Sequence, residues 1–174
     1  MIATKLKLRV YGDPCLRRKS APVSNIGPAE RMLISSMIKT MYDDDGVGLA
    51  APQVGINQTI FVVDIGEGPV AVINPKIVKK IGKVTQNEGC LSVPGVTVAI
   101  DRPQQIRLHY LDENGHEQEG DFADLKARVI AHEMDHLDGK LIVDHVNPAD
   151  RPKVIQKVEA KLKVMTNDKI QNSK

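Results

Sequence analysis

The sequence predicts an α+β fold in which largely antiparallel sheets pack around a central helix that carries His132 and His136, with a further helix at the C-terminal end. Two observations predict this fold. One helical apolar pattern precedes several short runs rich in Val and Ile, and two further helical patterns follow them; this order is typical of α+β proteins. Asn114 and Gly115 also stand between two strand candidates, which indicates a tight turn between antiparallel strands.

The first elements follow from turn residues and from apolar spacing. Residues 8–27 are rich in Gly and Pro and predict a loop-rich segment. Pro28 suits the first position of a helix, where no N–H is needed. From residue 30 to 42, apolar side chains recur at spacings of three and four, which predicts one buried helical face. We predict strands at 59–64, 70–78, 96–100 and 105–111.

Two helices complete the chain. Asp124 is the predicted N-cap of a helix that runs to Asp138, and Gly139 is its stop signal. The last helix covers about 148–165, and we predict a disordered tail at 167–174. The length favours one domain over residues 1–166.

Composition sets limits on location and redox chemistry. No run approaches the ~20 apolar residues of a membrane span, and the N-terminus lacks the apolar stretch of a signal peptide. We therefore expect a cytoplasmic protein without a membrane partner. Cys15 and Cys90 could form one disulfide, but two cysteines indicate no disulfide framework.

The central helix carries a metal-binding pattern. His132 and His136 lie four residues apart, so both imidazoles project from one helical face and can share an ion. They extend a stripe through Leu125 and Val129 that we expect to face the core. Glu133 stands beside them, where it can act as general base toward water held by the metal. This pattern predicts a metal-dependent hydrolase.

A third ligand is needed, and Cys90 is the best candidate. It lies in a Gly-containing segment that we expect between two strands. A thiolate and two imidazoles leave a fourth position open, as in catalytic metal sites. His145 lies beyond the break at Gly139, where a surface or core role is more common, and His109 and His116 are expected to be exposed.

Three segments now resemble the signature motifs of the peptide deformylases. They are GVGLAAPQVG at 46–55, EGCLSVP at 88–94 and HEMDHLDG at 132–139. The resemblance covers roughly residues 10–164. It implies removal of the formyl group from the N-terminal formyl-methionine of new polypeptides, with release of formate.

The resemblance also implies roles for single residues. Cys90, His132 and His136 would hold the metal, and Glu133 would be general base and then general acid. Gln53 and the Leu91 N–H would donate hydrogen bonds to the oxyanion.

Further implied roles concern the substrate and the support of the site. Gly48 would let the peptide backbone come close, and Glu88 with Arg102 would brace the Cys90 loop. The side chains implied to line the methionine pocket, which could equally be ordinary core residues, are Val47, Leu125 and Val129.

The chain departs from some family members near the pocket. Gly95, Val96 and Thr97 replace longer polar side chains, and Arg128 replaces an apolar residue. These differences concern substrate preference rather than the chemistry. Cys15 matches no functional position, so we interpret it as structural.

The donor set suits one divalent ion, either Fe²⁺, Zn²⁺, Ni²⁺ or Co²⁺. The family resemblance favours Fe²⁺ in the cell, with Zn²⁺, Ni²⁺ or Co²⁺ open for a purified sample. The expected substrates are N-formylmethionyl nascent peptides, and we expect no DNA partner.

Positive charge is concentrated at the C-terminus, where residues 151–174 hold seven basic and two acidic side chains. Its lysines would form a solvated surface, or they would contact ribosomal RNA, as in some family members. The lysines in question are Lys153, Lys157, Lys161 and Lys163.

Two alternatives remain open at this point. A zinc endopeptidase would need a third His or Glu ligand instead of Cys90. A non-catalytic ribosome-associated protein would have no need of Glu133 or Gln53.

Overall fold

The computed structural model describes residues 2–171 of the chain, with side chains through residue 168. Over these residues the chain forms three α-helices and seven strands. The helices are α1 (Pro28–Asp43), α2 (Asp124–Leu137) and α3 (Arg151–Gln171); the strands are β1 (Gly48–Ala50), β2 (Ile60–Val63), β3 (Val70–Ile81), β4 (Val84–Cys90), β5 (Val93–Arg102), β6 (Gln105–Leu111) and β7 (Glu117–Ala123).

The strands form two sheets, and every pair of neighbours is antiparallel. The larger sheet has the order β1-β2-β3-β6-β7, and β4 pairs with β5 in a separate two-stranded hairpin. The α+β fold with antiparallel sheets and a C-terminal helix is therefore confirmed. The turn at Asn114 and Gly115 joins β6 to β7, as predicted.

The larger sheet lies between α1 and α2, and β2 shows why. Its side chains alternate: Ile60 and Val62 pack with α1, whereas Phe61 and Val63 pack with α2. All four residues are buried, because α1 and α2 cover the two faces of the strand and exclude water from each. The predicted apolar face of α1 is likewise confirmed, and Met37 and Met41 are fully buried.

The hairpin β4–β5 has a core of its own. Val98 and Ile100 of β5 pack with Val143 and with Val158 of α3. The segment that carries Cys90 therefore belongs to a different layer from the helix that carries His132 and His136.

Two strands, β1 and β4, were missed from the sequence, and β7 was implied only by the turn that precedes it. β4 and β7 have mostly exposed polar side chains, and β1 has three residues next to a Gly-rich loop. Each lacks the apolar alternation that indicates a strand, since each is stabilised mainly by pairing with its neighbour. β3 and β5 are also longer than predicted.

The predicted N-cap of α2 was wrong by one residue. The helix begins at Asp124 itself, and Ala123 occupies the N-cap position without a side-chain hydrogen bond. The Asp124 carboxylate instead accepts a hydrogen bond from Gln104 Nε2 at 3.4 Å. Gln104, in the turn between β5 and β6, thus contacts the carboxylate that was expected to cap the helix.

The last helix differs from its predicted bounds at both ends. It begins at Arg151 and continues to Gln171. Residues 172–174 lie outside the described part of the chain. The division into one domain and a disordered tail remains a prediction. Over the described residues, no helix is long and apolar enough to cross a membrane.

Gly139 ends the central helix, as predicted, and nothing larger fits there. Its φ is +72°, and an added Cβ would lie 2.6 Å from the carbonyl oxygen of Arg17. Gly66 offers a matched comparison, because its φ is +99° and an added Cβ would meet no atom within 4 Å.

We predict that Gly139→Ala lowers the free energy of unfolding more than Gly66→Ala does. Both variants place alanine in a left-handed backbone conformation, which costs about 1–2 kcal/mol. Only Gly139→Ala also brings a Cβ against the Arg17 backbone, which must then move. Urea unfolding of both variants measures the difference. Equal losses would contradict the close contact with Arg17.

Candidate metal centre

The three predicted ligands meet at one point. The ligand atoms of Cys90, His132 and His136 all lie within 4.8 Å of one another, and Cys90 Sγ is 3.3 Å from His136 Nε2. The i, i+4 spacing on α2 places the two rings 5.0 Å apart between centroids. Cys90 reaches them from the end of β4, rather than from a loop between strands.

The pKa values of the two imidazoles are shifted in opposite directions. His132 Nδ1 lies 3.0 Å from Glu88 Oε2; an ionised carboxylate only accepts hydrogen bonds, so Nδ1 carries the hydrogen. Burial opposes charge on His132, but Cys90 and Glu88 raise its pKa well above the usual value. Burial holds the pKa of His136 well below its usual value, and the charge of His132 lowers it further. His136 is therefore a neutral ring.

Glu88 is ionised because three side chains donate to it. Burial alone would raise its pKa, but hydrogen bonds from His132 and Arg102 lower it to about 2. Arg102 donates from Nε and Nη2, both at 3.0 Å, and Arg128 Nη1 donates to Oε1 at 2.6 Å. The structure thus joins Glu88 and Arg102 as an ion pair and adds Arg128, which we had considered only for substrate preference.

Glu133 lies beside the cluster in a water-poor setting. Burial raises its pKa to about 7, and its Oε2 has no hydrogen-bond partner among the described residues. Gly48 lies directly against it, because an added Cβ would be 2.4 Å from Glu133 Oε1 and 2.7 Å from Val129 Cγ1. Glycine is therefore required at position 48, because a larger side chain would collide with the Glu133 carboxylate as well as with any approaching ligand.

Gln53 is oriented by two fixed contacts. Its Oε1 accepts from the Ala50 N–H at 2.8 Å, and its Nε2 donates to Ser92 Oγ at 3.1 Å. This orientation leaves Nε2 3.7 Å from Cys90 Sγ. Gln53 is 2% exposed, so the amide is a buried donor directed at the site rather than a surface group.

These groups border a cavity of about 490 Å³. Every predicted site residue lines it except His136 and Arg102, which lie buried behind it. Val47 is 47% and Leu125 is 51% exposed. Of the stripe on α2, Leu125, Val129 and His132 line this cavity, whereas His136 is buried behind it and Val129 also packs in the core.

The residues fit a bound metal ion. One sulfur and two nitrogen donors converge, and the fourth side of a tetrahedral site is left to the cavity. His136 Nδ1 and Glu133 Oε2 are buried without partners among the described residues. The remaining histidines do not join this group: His145 Nε2 lies 2.7 Å from the acceptor Asp135 Oδ2, and His109 and His116 lie on strand β6 and in the turn after it.

Sequence reasoning missed two residues of the site. Ser92 fixes the amide of Gln53, and Asp135 accepts from Arg102 Nη1 at 2.6 Å. Both stand inside the motifs quoted above. The available signal in the sequence was a serine between Leu91 and Val93. The structure shows that Ser92 is fully buried.

Cys15 has the surroundings of a structural residue. It is buried and unpaired, and its Sγ lies 3.5 Å from the carbonyl oxygen of Pro52. Burial raises the pKa of its thiol to about 11, so it remains protonated at neutral pH. No disulfide joins Cys15 to Cys90.

Comparison with known proteins gives consistent results. Residues 5–152 match the family model described as polypeptide deformylase. The peptide deformylase of Thermotoga maritima is 48% identical over 147 residues, which are 83% of this chain and 89% of that protein.

Solved structures agree with the sequence matches. A peptide deformylase from Legionella pneumophila aligns with a TM-score of 0.90 at 34% identity, covering 94% of this chain and 98% of that one. A peptide deformylase from Ehrlichia chaffeensis, in complex with actinonin, aligns with a TM-score of 0.88 at 38% identity, covering 91% and 98%.

We predict that Cys90→Ala loses most of its bound metal, because two imidazoles alone hold an ion weakly. Cys15→Ala is the matched control and should keep the metal content of the unaltered chain. Elemental analysis of protein purified without oxygen measures both. Full retention of metal by Cys90→Ala would favour a His or Glu ligand instead, as in a zinc endopeptidase.

Proposed function

The chain belongs to the polypeptide deformylase family, and on that premise we propose that Cys90, His132 and His136 hold the metal on which its reaction depends. It is a metal-dependent hydrolase that removes the formyl group from the N-terminal formyl-methionine of newly synthesised polypeptides. The observation that carries the proposal is the convergence of three donor atoms within 4.8 Å beside a buried, partnerless carboxylate oxygen.

The ion that we propose in the cell is Fe²⁺. One thiolate and two imidazoles suit Fe²⁺, Zn²⁺, Ni²⁺ and Co²⁺ alike, and the family commonly uses iron. When bound, such an ion supplies a Lewis acid that polarises the formyl carbonyl and lowers the pKa of water. A purified sample would also accept Zn²⁺, Ni²⁺ or Co²⁺.

Glu133 is the proposed proton carrier. As general base it takes a proton from the attacking water while a bond forms between that oxygen and the formyl carbon. As general acid it then gives a proton to the amine as the C–N bond breaks, which leaves formate and a free amino terminus. A carboxyl group with a pKa of about 7 suits both steps near neutral pH.

Gln53 and Leu91 are the proposed oxyanion donors. One N–H of the Gln53 amide donates to Ser92 Oγ. The second is directed toward Cys90, whose Sγ lies 3.7 Å from Nε2. Leu91 follows Cys90 and lines the same cavity, so its backbone N–H is the second proposed donor. Donors fixed before the reaction stabilise developing charge without reorganising.

The substrate has a proposed place against β1. This strand pairs only with β2, so its other edge is open at the cavity. A peptide backbone could add there as a strand alongside Gly48. The methionine side chain would then enter the apolar part of the cavity, which is lined by Val47, Leu125 and Val129.

We predict that Glu133→Gln lowers kcat on a formyl-Met peptide by about 10²- to 10⁴-fold while bound metal is unchanged, because an amide cannot take up the proton. Glu113→Gln, in the exposed β6–β7 turn, is the control and should keep full activity. Formate release by protein purified without oxygen measures this. Activity near that of the unaltered chain would rule out Glu133 as the general base.

We also propose that α3 contacts ribosomal RNA, which would place the enzyme in the cytoplasm where formylated chains emerge. Lys153, Lys157, Lys161 and Lys163 are exposed and form no salt bridge among the side chains described through residue 168. The stem of Lys161 lies over Gly95, because an added Cβ there would be 2.8 Å from Lys161 Cγ. Gly95 lines the cavity, so RNA bound by the helix would hold the cavity close to the ribosome.

We predict that replacing Lys153, Lys157 and Lys163 by Gln weakens co-sedimentation with ribosomes. It should also lower the slope of log affinity against log salt by about one for each lysine that contacts phosphate. Lys161 is left in place because its stem packs on Gly95.

The matched control removes three lysines of β3 instead, Lys76, Lys79 and Lys80. This control should bind ribosomes as the unaltered chain does. Equal binding by both variants, at every salt concentration, would show that the lysines of α3 are only a solvated surface.

A further inference from the structure

Arg128 is a buried cation that has no role in the reaction proposed for Glu133, Gln53 and Leu91. It lies on α2, one turn before His132, and is 7% exposed. Burying a guanidinium costs several kcal/mol unless acceptors surround it. The cost of burying this cation at the edge of the cavity therefore depends on the acceptors that it contacts.

Three acceptors on the β4–β5 hairpin surround this guanidinium. Nη1 donates to Glu88 Oε1 at 2.6 Å and to the Ile100 carbonyl oxygen at 3.1 Å. Nη2 donates to the Val84 carbonyl oxygen at 2.6 Å. Val84 and Glu88 belong to β4 and Ile100 belongs to β5, so one side chain of α2 binds both strands of the hairpin.

The contact matters because the proposed ligands are divided between two elements. Cys90 ends β4, in a hairpin that forms a sheet separate from the five-stranded one. His132 and His136 project from α2. The distance from the thiol to the imidazoles therefore depends on how the hairpin is held against the helix.

Arg102 makes the reciprocal contact. It extends from β5 toward α2, where Nη1 donates to the Ala131 carbonyl oxygen at 3.3 Å and to Asp135 Oδ2 at 2.6 Å. The two guanidiniums thus connect the same two elements in opposite directions, and both donate to Glu88.

We propose that Arg128 is a positioning residue, which sets the distance between Cys90 and the two histidines by binding β4 and β5 to α2. The inference rests on the proposed ligand set. The side chain's donors face the hairpin, so Arg128 does not act as a free cation that selects acidic substrates. Planar geometry is essential to this role, because an ammonium is a point donor that cannot reach acceptors on two strands at once.

The test uses the full chain loaded with Co²⁺, whose thiolate charge-transfer absorption reports the Cys90 bond. The variants are Arg128→Met and Arg128→Lys. Arg107→Met is the matched control, because Arg107 makes a similar two-bonded pair with Asp121 at 2.8 and 2.6 Å but is 46% exposed. Co²⁺ affinity is measured by competition with a chelator, together with kcat, KM and the melting temperature of the metal-free protein.

We expect Arg128→Met to weaken Co²⁺ binding by about 10- to 100-fold, the usual effect of losing a residue that orients ligands, and to change the charge-transfer band. KM should be unchanged, Arg107→Met should match the unaltered chain, and Arg128→Lys should stay impaired. If Arg128→Met does not fold, the impaired affinity and altered band of Arg128→Lys carry the test.

Three results would overturn the proposal. A lower melting temperature with unaltered Co²⁺ affinity and band would show a purely structural role, and a change in KM alone would show a substrate contact. Full recovery in Arg128→Lys would show that charge suffices without the planar geometry. Absence of the thiolate band in the unaltered chain would instead refute the proposed ligand set, which keeps the two failures distinguishable.

Discussion

Four hydrogen bonds converge on the buried carboxylate of Glu88, and the arrangement of the metal centre depends on them. Two come from Arg102, one from Arg128 and one from His132. A buried carboxylate that lost one of its cationic partners would be destabilised by roughly 3–5 kcal/mol. The contacts of this cluster therefore depend on one another, and the orientation of His132 depends on them.

The same cluster separates the tasks of neighbouring groups. Glu88 accepts a hydrogen bond from the Nδ1–H of His132, which leaves Nε2 of that ring for the proposed ligand position. Glu133, next to His132 in the sequence, forms no salt bridge with the side chains that the structure describes, and burial raises its pKa to about 7. The pKa values of these two carboxyl groups are thus far apart. Glu88 is ionised at neutral pH, whereas Glu133 can take up and release a proton there.

The sequence predicted those parts of the site that repeat at short range. The i, i+4 pair on α2 and the acid beside it depend only on helix geometry, and the Cys90 motif supplied the third proposed ligand. The polar cluster could not be predicted in the same way. Glu88, Arg102, Arg128 and Asp135 come from three separate elements, and no local pattern shows which buried charges will meet. The β4 strand was missed for a related reason, since most of its polar residues are exposed and Glu88 packs into the charged cluster rather than an apolar core.

The contact between Gly48 and Glu133 limits how the cavity can change under selection by a peptide-like inhibitor. A larger side chain at position 48 would block a ligand backbone, but it would first displace Glu133, the proposed proton carrier. Escape at that position is therefore closed, because it would disable the enzyme together with the inhibitor. Val47 and Leu125 touch less of the machinery and are half exposed at the rim, so substitutions that confer resistance are expected to accumulate there.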